Sequence, residues 1–581
     1  MEKPSEKMEA TQKVGRKKGG LRTMPFIMAN EIFEKISSIG LHANMIFYLT
    51  NEYHFDSAKG AIVLFLWSAL TNFLPIAGAF LSDSYLGRFK VISMGTVVSL
   101  LGMVVLLLTA IFPKARPPHC KLPPEICVHA NGGQLLLLFF SFLLMAIGAG
   151  GIRPCSLAFG ADQFEKPGNP KNERTLQSFF NWYYATVGVS VTISVTFMVY
   201  LQNAAGWVVG YGVPVGLMLF STIMFFLGSS LYVKIKANKS LLGSLAQVIV
   251  AAWRNRHLDS PPQTSDKWFY HKGSKLVSPT PKLRFLNKAC IIRNRETDVD
   301  ANGMARFPWS LSTIQRVEEL KAVIRVLPIW STGIVISAAI TQFTFAALQA
   351  STMDRHITPR FQFPAASFAV FTIITLTIWV AIYDQIIVRL LAKFTKLSNG
   401  LSLKQRMGIG LAISCLASAV SAEIERTRRN RAIDEGLGNV PNGIVKMSAM
   451  WLVPQHCLAG LAEALNAIGQ IQFFYSQLPR SMASIAVALF SLGMGGGSLL
   501  GALVVSVIKK TTEKNGNVGW LSNNLNQGHY DYYYWVLSMM GVVNFLYYLI
   551  CSWFYGDEKE GMEASRVWDE KEAIEEAPFN A

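Results

Sequence analysis

The sequence predicts an all-α membrane protein with 12 transmembrane helices in two six-helix bundles. Of its 581 residues, 51% are hydrophobic and 16% are charged, whereas an average soluble protein carries roughly 25% charged residues. Twelve apolar runs approach or exceed the ~20 residues that a helix needs to cross a bilayer. A polar segment over 236–320 separates them six from six. The chain therefore divides into a basic tail (1–24), a first bundle (25–235), a central loop (236–320), a second bundle (321–556) and an acidic tail (557–581).

The opening 24 residues are polar and basic, with no apolar stretch ending in small residues, so no cleavable leader is expected. Apolar runs follow at 25–49, 61–81, 91–112, 134–152, 178–201 and 213–233. In the central loop, Leu241 to Trp253 has helical apolar spacing and ends in Arg254 and Arg256, which predicts a helix lying along the membrane surface. The second set runs over 322–345, 365–388, 407–422, 447–474, 482–508 and 533–554. Two six-helix halves joined by a long loop are the pattern of a major facilitator, whose substrate site lies between the halves near the membrane midplane.

Net charge is +17, from 54 Lys and Arg against 37 Asp and Glu. In a soluble protein that excess would suggest nucleic acid; here its natural place is the cytoplasmic face of a membrane, and no nucleic-acid partner is expected. With both termini assigned to the cytosol, about 38 of the 54 cations fall on that side and about 14 outside, the latter including the run Arg426 to Arg431. The plasma membrane is the expected location. Nine acidic residues between Asp557 and Glu576 reverse the sign at the C-terminus, and the central loop offers a place for cytosolic regulators. Seven scattered cysteines build neither a disulfide scaffold nor a zinc cluster. Cys120 and Cys127, close together in an outside loop, are the one candidate disulfide.

The two remaining cations lie inside predicted spans. An ionised group at the centre of a span costs about 2.5–3.5 kcal/mol on insertion scales, so such groups usually face a cavity and carry function. They are Lys35 and Arg153, with the acids Glu31, Glu34, Asp384 and Glu463. Glu31, Glu34 and Lys35 are spaced i, i+3, i+4 and share one helix face. Two carboxylates beside one ammonium can hold and release a proton. Arg153 follows Gly148, Gly150 and Gly151 and precedes Pro154, at the end of its run, where a kinked backbone would present a planar fork to an anion. Glu463 shares its face with Asn466 and Gln470, and an acid in the second half opposite Lys35 and Arg153 would complete a substrate clamp. Asp384, close to Arg389, reads as an interfacial ion pair; His456 as a hydrogen-bonded interior histidine; Gly493 to Gly497 as a close-packing surface. The nine histidines form no metal-ligand or nucleophile spacing, so neither a metal nor an enzyme is expected.

These residues resemble the plant nitrate/peptide transporter family, a branch of the proton-dependent oligopeptide transporters. Glu31-Ile-Phe-Glu34-Lys35 is similar to its Glu-x-x-Glu-Arg proton-coupling motif. Gly78-Ala-Phe-Leu-Ser-Asp83-Ser-Tyr-Leu-Gly87-Arg88-Phe-Lys90 resembles its signature after helix 2, and Gly150-Gly-Ile-Arg153-Pro-Cys-Ser-Leu-Ala-Phe-Gly160-Ala-Asp162-Gln163-Phe its helix 4 signature. Arg325-Val-Leu-Pro328-Ile-Trp330 and Thr352-Met-Asp354-Arg355 resemble stretches flanking helix 7.

The resemblance implies proton-coupled import by alternating access, with protons as the coupling ion and no further cofactor. Glu31, Glu34 and Lys35 would couple the proton; Arg153, Glu463, Lys35 and Asn466 would bind substrate; Asp83, Gly87 and Arg88 would stabilise one conformation. Lys35 stands where arginine is usual and Arg153 where lysine is more frequent, which alters the geometry for a peptide terminus. Between Leu327 and Thr352 there is no histidine or acid, so helix 7 offers no titratable nitrate ligand. The leading expectation is low-affinity nitrate symport. Glucosides and glucosinolates, hormone acids and di- or tripeptides are the alternatives, and a non-transporting membrane sensor is the reading from another class.

Overall fold

The computed structural model describes residues 19–120, 127–164, 172–235, 241–258, 268–271, 279–300, 303–395, 400–441, 443–479, 482–514 and 518–556. Most of the basic tail, the acidic tail and the side chain of Asp384 lie outside the described residues.

In the first half the helices are α1 (Met24–Ala43), α2 (Met45–Asn51), α3 (Ser57–Leu81), α4 (Arg88–Ile111), α5 (Gly132–Asp162), α6 (Asn172–Ile193) and α7 (Val199–Leu227). The central loop supplies α8 (Leu241–Arg254) and two single turns, α9 (Arg284–Asn287) and α10 (Arg295–Asp298). The second half contains α11 (Ile314–Thr341), α12 (Phe343–Ser351), α13 (Val370–Ile382), α14 (Val388–Thr395), α15 (Leu403–Asp434), α16 (Val453–Gln477), α17 (Ala483–Thr512) and α18 (Tyr530–Tyr555). Local chemistry sets several starts. Asp56 caps α3 by accepting from Lys59 N at 2.7 Å, and Asn131 with Gln134 and Ser402 with Gln405 form reciprocal capping boxes on α5 and α15.

Among the described residues, nine segments are long and apolar enough to cross a membrane. One of them, Ser178–Ser230, turns at Gly206, whose φ of 76° and ψ of 176° suit glycine, and so contributes two passes. Met24–Asn51 and Val453–Gln477 fall short of that apolar standard because they carry the charged and amide side chains singled out in the sequence. Together these make the twelve predicted passes, six on each side of the central loop.

The chain ends define one face of the molecule. Gly20 N donates to Gln163 O at 2.7 Å beside Asp162, which takes Arg88 Nη1 at 2.6 Å, and Lys404 Nζ reaches Gly556 O at 2.6 Å. The opposite face carries the Cys120–Cys127 disulfide. Towards that opposite face the bundles share a core: Leu41, Met45 and Phe65 cluster with Phe345, Val505 and Tyr533. Lys509 Nζ meets Asp56 Oδ2 at 2.5 Å, Ser57 N donates to Asn523 Oδ1 at 2.9 Å, and deeper in, Ser498 Oγ lies 3.1 Å from Ser68 Oγ, all across the two bundles. On the terminal face the clusters are confined to one half each, Ile27, Phe159 and Phe225 in the first and Ile329, Phe473 and Tyr555 in the second. The bundles are thus closed together at the face away from the chain ends.

One expectation needs correction. The helix around Arg153 does not end or break at Pro154; it continues to Asp162, held against α3 and α4 by glycine contacts. A Cβ on Gly78 would lie 1.9 Å from Gly150 O, and one on Gly148 would lie 2.5 Å from Ser99 Cβ, so only glycine permits this approach. The amphipathic α8 forms as expected in the central loop, and part of its apolar face packs on protein. Leu245, Val248, Ala251 and Ala252 are buried with Phe269, Leu286 and Cys290 of the loop and with Ile314 and Val317 of α11. Ile249 and Trp253 alone of its large apolar side chains are exposed among the described residues.

At the disulfide face α15 reaches past the bundle, and its end is fixed by one guanidinium. Arg428, fully buried, holds Glu425 through two bonds of 2.8 and 2.7 Å and also donates to Asn526 Oδ1 (2.6 Å), Leu525 O (3.0 Å) and Thr352 Oγ1 (3.1 Å). Arg429 donates to Gly528 O at 2.9 Å. Within the basic run that sat awkwardly outside, these two cations are therefore spent on the framework. Beside them β1 (Met353–Asp354) pairs parallel with β4 (Val445–Ser448), and β2 (His356–Thr358) pairs antiparallel with β3 (Phe361–Gln362).

Candidate functional site

The face of α1 read from spacing is realised. Lys35 Nζ lies 3.4 Å from Glu31 Oε1 and 3.3 Å from Glu34 Oε2, with Glu31 and Glu34 buried and the lysine side chain 14% exposed. One ammonium at these distances satisfies two carboxylates incompletely. Tyr183 of α6 stands beside Glu31 and Ser38 beside Glu34, but Glu31 Oε2 and Glu34 Oε1 are buried outside good hydrogen-bond geometry with any described residue. Arg153, on α5, acts electrostatically on both Glu34 and Lys35, so the cluster holds two acids and two bases rather than the two acids and one base of α1 alone. Its Nε is buried and lacks a hydrogen-bond partner among the described residues.

Arg153 opens onto a cavity of about 200 Å³ whose walls come from α1, α3, α4 and α5. Ser38, His42, Trp67, Thr71, Asn72 and Ser99 line it, and His42 and Trp67 set their rings 5.0 Å apart. Sequence reasoning missed these side chains. The signal was present for two of them, since Ser38 and His42 continue the helical face Glu31, Lys35 at spacings of three and four. Trp67 and Ser99 come from other helices, and only the packing places them here.

The second half is arranged differently. Glu463 stands half-buried on α16 with no described ion pair, and the cavity beside Arg153 is walled by the first bundle alone. The clamp expected across the halves is therefore not assembled in this conformation. Asn466 is engaged within the second bundle: its Nδ2 donates to Met407 O at 3.1 Å and its Oδ1 accepts from Gln470 Nε2 at 2.7 Å, while Gly410 packs against it. An amide used on both ends, at a helix contact that close, is a packing element. His456 is buried and its Nδ1 lies 3.3 Å from Thr372 Oγ1, as an interior histidine should be. In Gly493 to Gly497, Gly497 lies against Ser337 and Ala338 of α11 and Gly495 against Phe73 of α3, a close-packed contact in both directions.

Asp83, Gly87 and Arg88 meet at the terminal face, in the turn between α3 and α4. Arg88 Nη1 bonds Asp162 at 2.6 Å and its Nε lies 3.8 Å from Asp83 Oδ1; Gly87 has φ 79° where the chain turns from Ser82–Leu86 into α4. This ties α4 to the end of α5, the helix that carries Arg153. Cys120 and Cys127 are joined in a disulfide in the loop between α4 and α5. No group of three or more His, Cys, Asp or Glu able to hold a metal occurs among the described residues.

A profile of the POT family matches residues 89–521. The chain belongs to that family. From Arabidopsis thaliana, "Protein NRT1/ PTR FAMILY 1.2" is 50% identical over 99% of this chain and 97% of its own length, and "Protein NRT1/ PTR FAMILY 1.1" is 49% identical over 98% of each. The plant branch named from the motifs is thus the right one. The fold is that of a solved auto-inhibited POT family peptide transporter, with a TM-score of 0.67 at 18% identity, covering 91% of this chain and 96% of that one. PepTSo, another POT family transporter, gives 0.67 at 18% identity over 92% and 98%. This POT family member is a multi-pass integral membrane transporter, not an enzyme.

Proposed function

We propose that this transporter is a proton-coupled symporter of a small anion, with nitrate as the first substrate to test. The observation that carries the reading is the under-satisfied cluster of Glu31, Glu34 and Lys35, with Arg153 presenting an unpartnered Nε beside a cavity of about 200 Å³. Charge bookkeeping supplies the coupling. With all four groups ionised the cluster is neutral, and an anion bound at Arg153 leaves one buried negative charge in excess, which is costly in a low-dielectric interior. A proton taken by Glu31 or Glu34 restores neutrality and releases Lys35 from one of its two carboxylates. Anion and proton then favour the same state of the bundles, which is what symport requires.

With both termini in the cytosol, closure at the disulfide face is the inward-facing arrangement, and Lys509–Asp56 and Ser57–Asn523 are contacts that part when the transporter opens outward. The plasma membrane is the proposed location. Organic anions and short peptides stay in the substrate panel. The test is uptake of labelled substrate into oocytes, at acidic and neutral external pH, across nitrate, organic acids, glucosides and dipeptides. Nitrate uptake that grows on acidification supports the reading. Equal uptake by the parent and by both Glu31→Gln and Arg153→Ala at every pH would overturn the assigned sites.

A further inference from the structure

A wide concavity on the disulfide face is separate from the cavity beside Arg153. It encloses about 1120 Å³ between the bundles, and its wall includes both partners of the Ser57–Asn523 contact. Carboxamides dominate its polar lining: Asn524 is bonded at both ends, Gln527 donates to Asn439 and Asn523 accepts from Ser57 N, while the exposed Gln362 makes no described side-chain bond, and Trp207 supplies an aromatic wall. Among the described lining residues a single one is charged, Arg355.

Nothing described neutralises that guanidinium. Its neighbour Asp354 is turned to His356, at 2.6 Å, and the His356 ring holds the Asp354 carboxyl below its usual range. Arg355 Nη1 makes a long bond of 3.3 Å to Phe363 O, and its Nε is buried without a hydrogen-bond partner. The position is also braced. Thr352, three residues earlier, takes a bond from the fully buried Arg428, and Met353 and Asp354 are locked in the β1–β4 pairing. A braced, uncompensated arginine in a wide polar concavity has the makings of a binding site, because carboxylates take a guanidinium as a planar two-bond partner.

We propose that this concavity is a second binding site, in which Arg355 takes the carboxylate of a polyhydroxylated organic anion and lining polar groups, Gln362 foremost, take its hydroxyls. The volume favours this class: ligand pockets commonly run ~300–1,000 Å³, whereas an inorganic anion would fill a small part of the space. As the outer entry to the transport path, the site rests on the reading of this chain as an anion transporter; as a binding site, it stands apart from that reading and can be measured without transport.

Purified full-length protein in nanodiscs is titrated with 4-methylumbelliferyl β-D-glucuronide and with the neutral 4-methylumbelliferyl β-D-glucoside, binding being followed by fluorescence. The glucuronide binds saturably and tighter than the glucoside. Arg355→Gln weakens the glucuronide at least about tenfold, the loss of one charged hydrogen-bonded contact, and brings the two sugars level. Arg355→Lys, which keeps the charge and loses the fork, falls between and serves if the glutamine variant does not fold. Equal binding by the parent and Arg355→Gln, or no preference for the charged sugar, overturns the proposal. So does a loss in Arg153→Ala as large as in Arg355→Gln, which would put the probe in the inner cavity. A failure of proton coupling in the oocyte assay leaves these binding results untouched.

Discussion

Two of the buried charge clusters among the described residues are built to opposite standards. At the end of α15, Arg428 and Glu425 are 0% exposed, bonded twice to each other, and the guanidinium is completed by Thr352, Leu525 and Asn526. On α1, two carboxylates share one lysine at 3.3 and 3.4 Å, and Glu31 Oε2, Glu34 Oε1 and Arg153 Nε stand outside good hydrogen-bond geometry with any described residue. Both clusters take charge out of water. The first is satisfied and therefore has one arrangement, while the second is left short of partners and can exchange a proton or admit an anion. Incomplete satisfaction, more than burial or charge, separates the proposed transport site from the brace.

The largest effect is expected at the brace. Arg428→Leu strands Glu425 as an uncompensated buried charge, a loss of about 3–5 kcal/mol, visible as a collapse of the melting transition and of surface expression. The double variant with Glu425→Leu recovers much of it. Melting like the parent's in Arg428→Leu would erase the distinction between the clusters. Next comes Glu34→Gln, which mimics a permanently protonated acid. It should fold like the parent yet reduce proton-driven uptake on the order of a hundredfold, ~2.7 kcal/mol. In the parent, uptake rises as the outside is acidified because protonation discharges a carboxylate; in the variant that slope flattens, as a pH series of initial rates will show.

Smaller effects sharpen the contrast between the halves. Asn466→Ala breaks the bonds to Met407 O and Gln470 in the second bundle, at about 1–2 kcal/mol of stability, with substrate KM unchanged. A raised KM with an unshifted melt would return Asn466 to the substrate site. Smallest is Lys509→Gln at the contact between the bundles, where the side chains are 18% and 15% exposed and such a pair contributes about 0.2–1 kcal/mol. The closed state loses that margin, so a cysteine placed at Ser68 becomes more accessible to impermeant reagents added outside. A charge swap of Lys509 and Asp56 reverses the change.

Much of the site was legible because it obeys helix periodicity. Glu31, Glu34 and Lys35 are close in sequence and share a face, and a charge in an apolar run marks itself. Arg153 was found by the same signal, but its helix was cut short at 152, because the reading treated Gly and Pro as a terminus. The glycines are instead where α3 and α4 press against α5, and the proline lies in the span they support. For Asn466, sharing a face with an acid says nothing about where the amide's bonds go, and only the packing shows them reaching Met407 and Gln470. Arg355 was noted as part of a motif and given no role, since its lack of a counter-ion depends on Asp354 turning to His356.

By itself, the sequence determined twelve passes in two halves, the family, and which helix carries the paired acids. Those follow from hydropathy and from contacts within four residues, which the chain expresses locally. Only the tertiary structure decided that Arg153 balances the α1 cluster, that Asn466 is spent on packing, that the bundles close at the face away from the chain ends, and that Arg355 stands alone in a wide polar concavity. Each depends on what residues hundreds of positions apart leave satisfied or unsatisfied once the helices have packed.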